Sequence, residues 1–352
     1  MNANMSVDAV ETRAPVAAPH PTHKFGLLLR REFWEHKGGF LWAPFVSGAI
    51  FLLLSIMGIG VGEMAARRAA QHGDLHIDGQ SVTVNGLDLG MLTSKLGPEE
   101  MKHLAGGVDL SLLMASAWPF IVLAFVVFFY CLGTLYDERK DRSVLFWKSL
   151  PLSDSETVLS KVASALLVAP VLATIAALAT MFGFLLVVSV VVLLHGGNPI
   201  QLLWGPGSPL GVAAQLLASI PVYALWALPT VGWLMLCSSW ARSKPFLWAL
   251  MIPAFAGIFV SWFDLMQTFN LESTWFWKNI VARMLFSVVP GSWFDAAHFE
   301  GVNVDGPEAI RNLIDLSSTY SVLLTPQLWI GAVAGAAMIF GAIRMRRYRD
   351  EG

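Results

Sequence analysis

Charged side chains are concentrated in one short segment of this chain, and their types indicate what that segment can do. Ten of the 27 residues from 135 to 161 carry a charge, although only 14% of the 352-residue sequence is charged. Five are basic and five are acidic: Arg139, Lys140, Arg142, Lys148 and Lys161, and Asp137, Glu138, Asp141, Asp154 and Glu156. Balanced charge argues against a simple patch for anionic lipid, which would carry one sign of charge, and composition alone favours a solvated loop whose charges set membrane topology.

Other residues whose types permit chemistry lack the spacing that such chemistry needs. His72, His76 and His103 share a segment with several acids, but no H-x-x-x-H or clustered spacing is present, so we predict no metal site. Cys131 and Cys237 both fall near the cytoplasmic ends of apolar runs, and we expect them to be reduced. We therefore predict no catalytic residue in this chain.

Nucleotide chemistry is also excluded by the sequence. No Lys follows a Gly, so the chain contains no G-x-x-x-x-G-K-[ST] loop to hold nucleotide phosphates. If ATP drives this protein, it is hydrolysed on another chain.

The elements that position the charged segment are membrane helices. The sequence is 55% apolar with a mean hydropathy of +0.60, which is outside the soluble range. Six runs, here called spans 1 to 6, are long enough to cross about 30 Å of hydrocarbon, and none contains Asp, Glu, Lys or Arg. They are residues 40–62, 113–135, 164–194, 211–237, 246–263 and 327–343. We predict an all-α polytopic membrane protein: a disordered tail over 1–22 and a single transmembrane domain over 23–349.

The distribution of Lys and Arg predicts the orientation of the spans. With the N-terminus in the cytoplasm, 16 of the 23 basic residues lie on the cytoplasmic side, as the positive-inside rule requires. Both termini are then cytoplasmic, the segments 63–112 and 264–326 are external, and residues 136–163 form the first cytoplasmic loop. A multi-pass protein of the inner (plasma) membrane follows.

Local signals predict how this loop is built. Residues 138–149 carry apolar side chains beside charges, which favours a short helix across the membrane face. Pro151 then interrupts the helix, and Ser153 with Glu156 forms a capping box that starts the next one.

Features outside the loop are less specific. Residues 23–39 predict an amphipathic helix in the membrane interface, because Phe25, Leu28, Leu29 and Phe33 share a stripe, although Glu32 and His36 interrupt it. The external segments predict a continuation of span 1, a hairpin around HIDGQSVTV, a short helix opening at Pro98 and aromatic residues at the headgroup level. Two G-x-x-x-G patterns, at Gly58 and Gly62 and at Gly331 and Gly335, are weak signals of close helix packing.

The first cytoplasmic loop resembles that of ABC-2 type transporter permeases. A span ending in YDERKDRS, the pair FW and the sequence LPLSDSETVLSK leading into the next span carry the resemblance. In that family the loop forms a coupling helix that docks on a separate ATP-hydrolysing subunit. The family often has Gly-Thr after the acidic-basic pair, where this chain has Lys140, Asp141 and Arg142. The resemblance implies an ATPase-coupling role for Glu138, Arg139, Phe146, Pro151, Ser153 and Lys161. Residue chemistry adds Arg142, which can form forked pairs with carboxylates, and Trp147, an aromatic anchor.

The resemblance also implies partners and an energy source. It predicts a permease subunit of an ATP-driven exporter, two permease copies with two ATPase subunits, ATP and Mg on the partner, contact with membrane lipid and no nucleic acid. This chain itself would not be an enzyme and would hold no cofactor. Two alternatives stay open: an ion-coupled secondary transporter, which the uncharged spans disfavour, and a non-transporting membrane scaffold or sensor.

Overall fold

Long α-helices account for most of the described chain. The structure, a computed structural model, describes residues 21–72, 76–77, 80–81, 97–144, 149, 152–266, 272–294 and 316–348. The α-helices are α1 Pro21–Glu35, α2 Ala43–His72, α3 Pro98–Lys140, α4 Asp154–Ala163, α5 Ala169–Leu194, α6 Pro209–Ala218, α7 Ile220–Trp226, α8 Leu228–Trp240, α9 Pro245–Leu265, α10 Ser273–Phe276, α11 Ala282–Phe286, α12 Leu316–Ser321 and α13 Pro326–Tyr348. Four π-helical segments are Gly38–Trp42, Ser164–Val168, Ile200–Trp204 and Trp277–Val281, and Val322–Leu324 is a 3-10 turn.

The prediction of six membrane-spanning helices in an all-α protein is confirmed. Six described helices are long and apolar enough to cross a bilayer. They are Gly38–Ala65, Pro98–Lys140, Asp154–Leu194, Pro209–Trp226, Pro245–Leu265 and Pro326–Tyr348. The helix α1 and the end of α13 lie on one face of the bundle, here called the terminal face, which the Lys and Arg distribution predicts to be cytoplasmic.

Two spans belong to helices much longer than their apolar runs. The predicted short helix at Pro98 is not separate: Pro98 opens the 43-residue α3, which continues through span 2 to Lys140. At 1.5 Å per residue α3 is about 65 Å long, so it projects well beyond one face of the bilayer. The hydropathy run marked only the part of α3 in hydrocarbon, because its first turns are polar and begin with Glu99 and Glu100 beside the positive end of the helix dipole.

Proline residues explain where the other spans bend or break. Span 4 is three helices rather than one, and α7 and α8 each carry a proline, Pro221 and Pro229, at their second residue. A proline has no N–H to donate and its ring clashes with the preceding turn. In span 3, Pro170 follows the π-helical turn Ser164–Val168, and the wider turn accommodates the missing hydrogen bond.

The apolar core has two parts. The larger one joins spans 2, 3, 4 and 6 through fully buried residues such as Val127, Ala165 and Leu234. The smaller one packs the first part of α3, around Leu112, and the second half of α5, around Met181, against residues 202–213. Spans 1 and 5 are the least buried of the six and present large apolar side chains outward.

The two segments predicted to be external fold differently. Between spans 1 and 2, α2 continues to His72, as predicted, and His76–Ile77 pairs antiparallel with Gln80–Ser81 in the predicted hairpin. Between spans 5 and 6, residues 273–294 fold back against the bundle, where Trp277 Nε1 donates to Ser261 Oγ at 2.9 Å. Of the aromatic residues predicted there, Trp275 is exposed, whereas Trp293 is buried.

Candidate functional site

Five charged side chains meet at the terminal face and form what we call the ionic cluster: Glu32, Glu138, Asp154, Lys161 and Arg346. Lys161 Nζ lies 2.9 Å from Glu32 Oε1 and 3.0 Å from Glu138 Oε1. Arg346 Nη1 lies 2.6 Å from Glu138 Oε2, and its Nε lies 3.2 Å from Asp154 Oδ1. The five residues therefore form one continuous chain of ion pairs.

The residues of the ionic cluster lie on four different helices that end or begin at the terminal face. Glu32 lies on α1, one turn after the buried Leu28, so the face of α1 that packs on the bundle carries it inward. Glu138 lies in the last turn of α3, Asp154 and Lys161 lie on α4, and Arg346 lies in the last turn of α13. The cluster thus joins four elements that are far apart in sequence.

Four of the five residues of the ionic cluster are buried, and Asp154 lies at its partly exposed edge. Only 1% of Glu32, 2% of Lys161, 6% of Arg346 and 8% of Glu138 is exposed. Buried charges are retained only when they are paired, because removing an ion from water without a partner costs several kcal/mol. Each of these side chains is thereby fixed by the others.

Uncharged groups complete the hydrogen bonding. Tyr130 Oη donates to Glu32 Oε2 at 2.8 Å, and Lys161 Nζ also donates to Thr134 Oγ1 at 2.8 Å. Both partners lie on α3, one and two turns before Glu138. The ammonium group of Lys161 thus donates to Glu32 and Thr134 and lies at ion-pair distance from Glu138 Oε1, an atom without a hydrogen-bond partner among the described residues.

Arg139, next to Glu138, joins the same face to span 4. Its guanidinium donates to the Ser238 carbonyl at 2.7 Å and the Ala241 carbonyl at 2.9 Å. These carbonyls lie at the C-terminal end of α8, where a cation is favoured by the helix dipole. Ser238 Oγ in turn accepts from the backbone N–H groups of Leu135 and Tyr136.

The loop between Glu138 and Asp154 begins with a sharp change of backbone direction after α3. The helix α3 ends at Lys140, and Arg142 has a left-handed backbone with a φ of 56°. The predicted helix over 138–149 is therefore wrong at its start, because a left-handed residue ends the α3 hydrogen-bond ladder. The predicted capping box is confirmed, since Ser153 Oγ accepts from Glu156 N–H at 3.1 Å and Glu156 Oε2 accepts from Ser153 N–H at 2.9 Å.

The structure separates the predicted coupling residues into two sets. Glu138 and Lys161 are buried in the ionic cluster, and Arg139 holds α8, so these three form the base of the loop. Arg142 and Ser153 are exposed. Phe146, Trp147 and Pro151 lie outside the described residues, as does the predicted disordered tail up to residue 20.

Three members of the cluster, Glu32, Asp154 and Arg346, are absent from the coupling residues predicted from the sequence. In the sequence, Glu32 interrupts an apolar stripe, and a carboxylate on the buried side of an amphipathic helix signals a buried partner. Arg346 reads in the sequence only as one of the basic residues that set orientation. Its neighbour Arg347 is exposed, and nothing in the sequence distinguishes the two.

The arrangement is suited to mechanical linkage rather than to bond chemistry. Its acids and bases are paired with each other, and the described residues contain no group of three His, Cys, Asp or Glu side chains that would hold a metal ion. What the cluster provides is a rigid connection among α1, α3, α4 and α13.

The fold and this site define the class of the chain as a six-span α-helical membrane protein whose helix ends are joined by buried ion pairs at one face. Comparison with protein-family models, with curated proteins and with solved structures gave no match.

Proposed function

We propose that this protein is the permease subunit of an ATP-driven transporter, an exporter of the ABC-2 type, in which the first cytoplasmic loop docks a separate ATPase subunit. One observation carries the proposal beyond the sequence resemblance. Both ends of the loop, Glu138 on one side and Asp154 with Lys161 on the other, are fixed in the ionic cluster with α1 and α13.

A loop mounted in this way can transmit force. Arg346 bonds both Glu138 and Asp154, so a displacement of the loop ends pulls α13 with them. Lys161 bonds Glu32, so α1 follows as well. A partner that moves the loop therefore acts on spans 2, 3 and 6 together, which is what a motor outside the bilayer needs.

The part of the loop outside the cluster is available for docking. Lys140, Asp141 and Arg142 are exposed and carry both signs of charge, which suits recognition of a complementary protein surface. ATP and Mg would be held by the partner, and two permeases would assemble with two ATPases in the inner membrane. Spans 1 and 5, the least buried, offer apolar surface for a second copy or for lipid.

The docking role is tested by copurification in mild detergent. Phe146→Ala should leave the membrane level of the protein unchanged and reduce recovery of the ATP-hydrolysing partner, because loss of an aromatic hot spot of about 2 kcal/mol weakens association roughly thirtyfold. Tyr348→Ala is the matched control, since Tyr348 is 70% exposed at the end of α13. Equal recovery of the ATPase with both variants contradicts the proposed role of the loop.

A second candidate function is an ion-coupled transporter. The observation that favours it is the pair of buried carboxylates, Glu32 and Glu138, because such groups carry protons in pumps and secondary transporters. Against it, both carboxylates are neutralised by Lys161 and Arg346. A scaffold or sensor, the third alternative, would move no substrate at all.

Proteoliposomes separate these candidates. With the copurified ATPase, we expect uptake that requires ATP and persists when a protonophore collapses the proton gradient. Transport by the permease alone, driven by an imposed ion gradient, would establish the secondary transporter instead. Absence of transport in every combination would favour the scaffold.

A further inference from the structure

A cationic cavity lies between the segment 273–294 and the ends of spans 4 and 6 on the face opposite the terminal face. Its volume is about 230 Å³, and its lining includes Arg283, Lys278, Asn279, Gln327 and Trp293. No Asp or Glu lines this cavity among the residues that the structure describes. The cavity therefore presents the positive charge of Arg283 together with several hydrogen-bond donors, and its described lining contains no acid.

Arg283 is held in the cavity wall by groups that leave its donors unused. Its guanidinium carbon lies 3.5 Å from the centre of the Trp226 ring, in a stacked cation–π contact. Nη1 and Nη2 are both buried and have no hydrogen-bond partner among the described residues. Burial lowers the pKa of Arg283 to about 10, so the side chain is still protonated at neutral pH.

The surrounding chain is shaped to keep this guanidinium in place. A side chain at Gly331 on α13 would collide with Arg283 Nη2 and with the Pro229 ring. Thr230 Oγ1 donates to the Arg283 carbonyl at 2.9 Å and accepts from Ser287 N–H at 3.0 Å, which fixes the backbone on both sides. A buried, unpaired charge costs free energy, so such positioning points to a ligand that completes it.

An apolar cavity adjoins the cationic one. Its volume is about 270 Å³, and Leu113, Phe120 and Ile121 of α3 contribute to its lining. Trp293 and Phe294 line both cavities and form the boundary between them. Trp293 is 6% exposed, and its indole Nε1 is a second buried donor with no partner in the described chain.

The site lies about one and a half helical turns from the end of α13 that opens span 6. Gly331, which touches Arg283, is the fifth residue after Pro326, the start of α13, and so lies about 8 Å below that helix end. An anionic group at this depth would reach Arg283, and an attached apolar chain would face the second cavity and the lipid.

We propose that these adjoining cavities form a binding site for an anionic amphiphile, whose phosphate or carboxylate binds Arg283 and whose apolar part enters the cavity beside Trp293. The site does not depend on the proposed ATPase, because the permease alone contains it. The ligand can come from the bilayer as a lipid or from elsewhere as a transported amphiphile.

Binding is tested on the full-length permease, purified in neutral detergent, by native mass spectrometry. The probes are phosphatidylglycerol and phosphatidylcholine with identical acyl chains, and oleate. We expect phosphatidylglycerol to bind at least about tenfold more weakly to Arg283→Gln than to the original protein, the loss expected of one charged hydrogen-bonding group. Arg67→Gln, which removes an exposed charge from the same side of the membrane, should not change binding.

A second variant separates charge from fold. Arg283→Lys keeps the charge without the guanidinium fork and should show intermediate affinity together with a retained preference for anionic probes.

Anionic lipid that copurifies with the original protein but not with Arg283→Gln identifies the bilayer as the source. Protein that purifies without lipid but binds added oleate through Arg283 supports the site and indicates that its ligand is an amphiphile other than a resident bilayer lipid. Equal binding of anionic and neutral probes, or binding that is unchanged in Arg283→Gln, overturns the proposal.

Discussion

At the scale of single residues, the ionic cluster makes Arg346 far more important for stability than its neighbour Arg347. Arg346→Gln removes the cation paired with Asp154 and leaves Glu138 with Lys161 alone. Loss of one partner from a buried pair costs about 3–5 kcal/mol. We expect a clear fall in the thermal unfolding midpoint of the detergent-solubilised protein. Arg347→Gln, one residue along and exposed, should unfold like the original protein. Similar midpoints for the two variants would contradict the burial of Arg346.

The position of Lys161 between two carboxylates predicts that substitutions of Lys161 and Glu32 have non-additive effects on stability. Lys161→Met removes the ammonium group that lies between Glu32 and Glu138, so two carboxylates face each other in a buried site. Adding Glu32→Gln relieves that repulsion. The double variant should therefore be more stable than the sum of the single changes predicts, by about 0.5–3 kcal/mol in a double-mutant cycle. Strictly additive effects would show that the two side chains do not interact.

At the scale of elements, the left-handed Arg142 strains the exit from α3. A residue with a side chain in this conformation costs about 1–2 kcal/mol relative to glycine. Arg142→Gly should raise the thermal midpoint, whereas Arg142→Ala removes the same side chain without relieving the backbone and should not. If Arg142 contributes to docking, both variants should lower ATPase recovery to the same extent, because both lack the guanidinium. Equal midpoints for the glycine and alanine variants would show that this turn is not strained.

The packing of span 6 against span 4 depends on the small size of Gly335. A Cβ at Gly335 would lie 2.5 Å from the Leu228 carbonyl, so Gly335→Ala must push the two helices apart. Overpacking of this kind costs about 1–3 kcal/mol. The matched control is Gly58→Ala, because Gly58 has open space around it. The comparison is made by thermal unfolding in detergent, and a larger loss at Gly58 would contradict the helix pairing described here.

At the scale of the whole molecule, the orientation of the bundle is the property that all functional proposals share. A cysteine at Asp88 or Asp305 should react with an impermeant thiol reagent applied from outside, and one at Lys148 should not. Cys131 and Cys237 are both completely buried, so the background should be low. Labelling at Lys148 from outside would reverse the orientation and remove the ATPase proposal.

The sequence alone determined the class of protein, the six spans and the capping box at Ser153. These features are local: a run of apolar residues must avoid water whatever surrounds it, and a serine three residues before a glutamate can close its own helix end. The prolines of span 4 likewise break their helix without help from neighbours.

Only the tertiary structure decided which polar residues and which glycines are internal. Glu32 and Lys161 are 129 positions apart, Glu138 and Arg346 are 208 apart, and no local pattern predicts such pairs. The two G-x-x-x-G patterns read alike in the sequence, yet Gly335 touches Leu228 while Gly58 and Gly62 touch nothing. Burial of a charge and approach of two backbones both depend on which helix faces which, and that is set by the packing of the whole bundle.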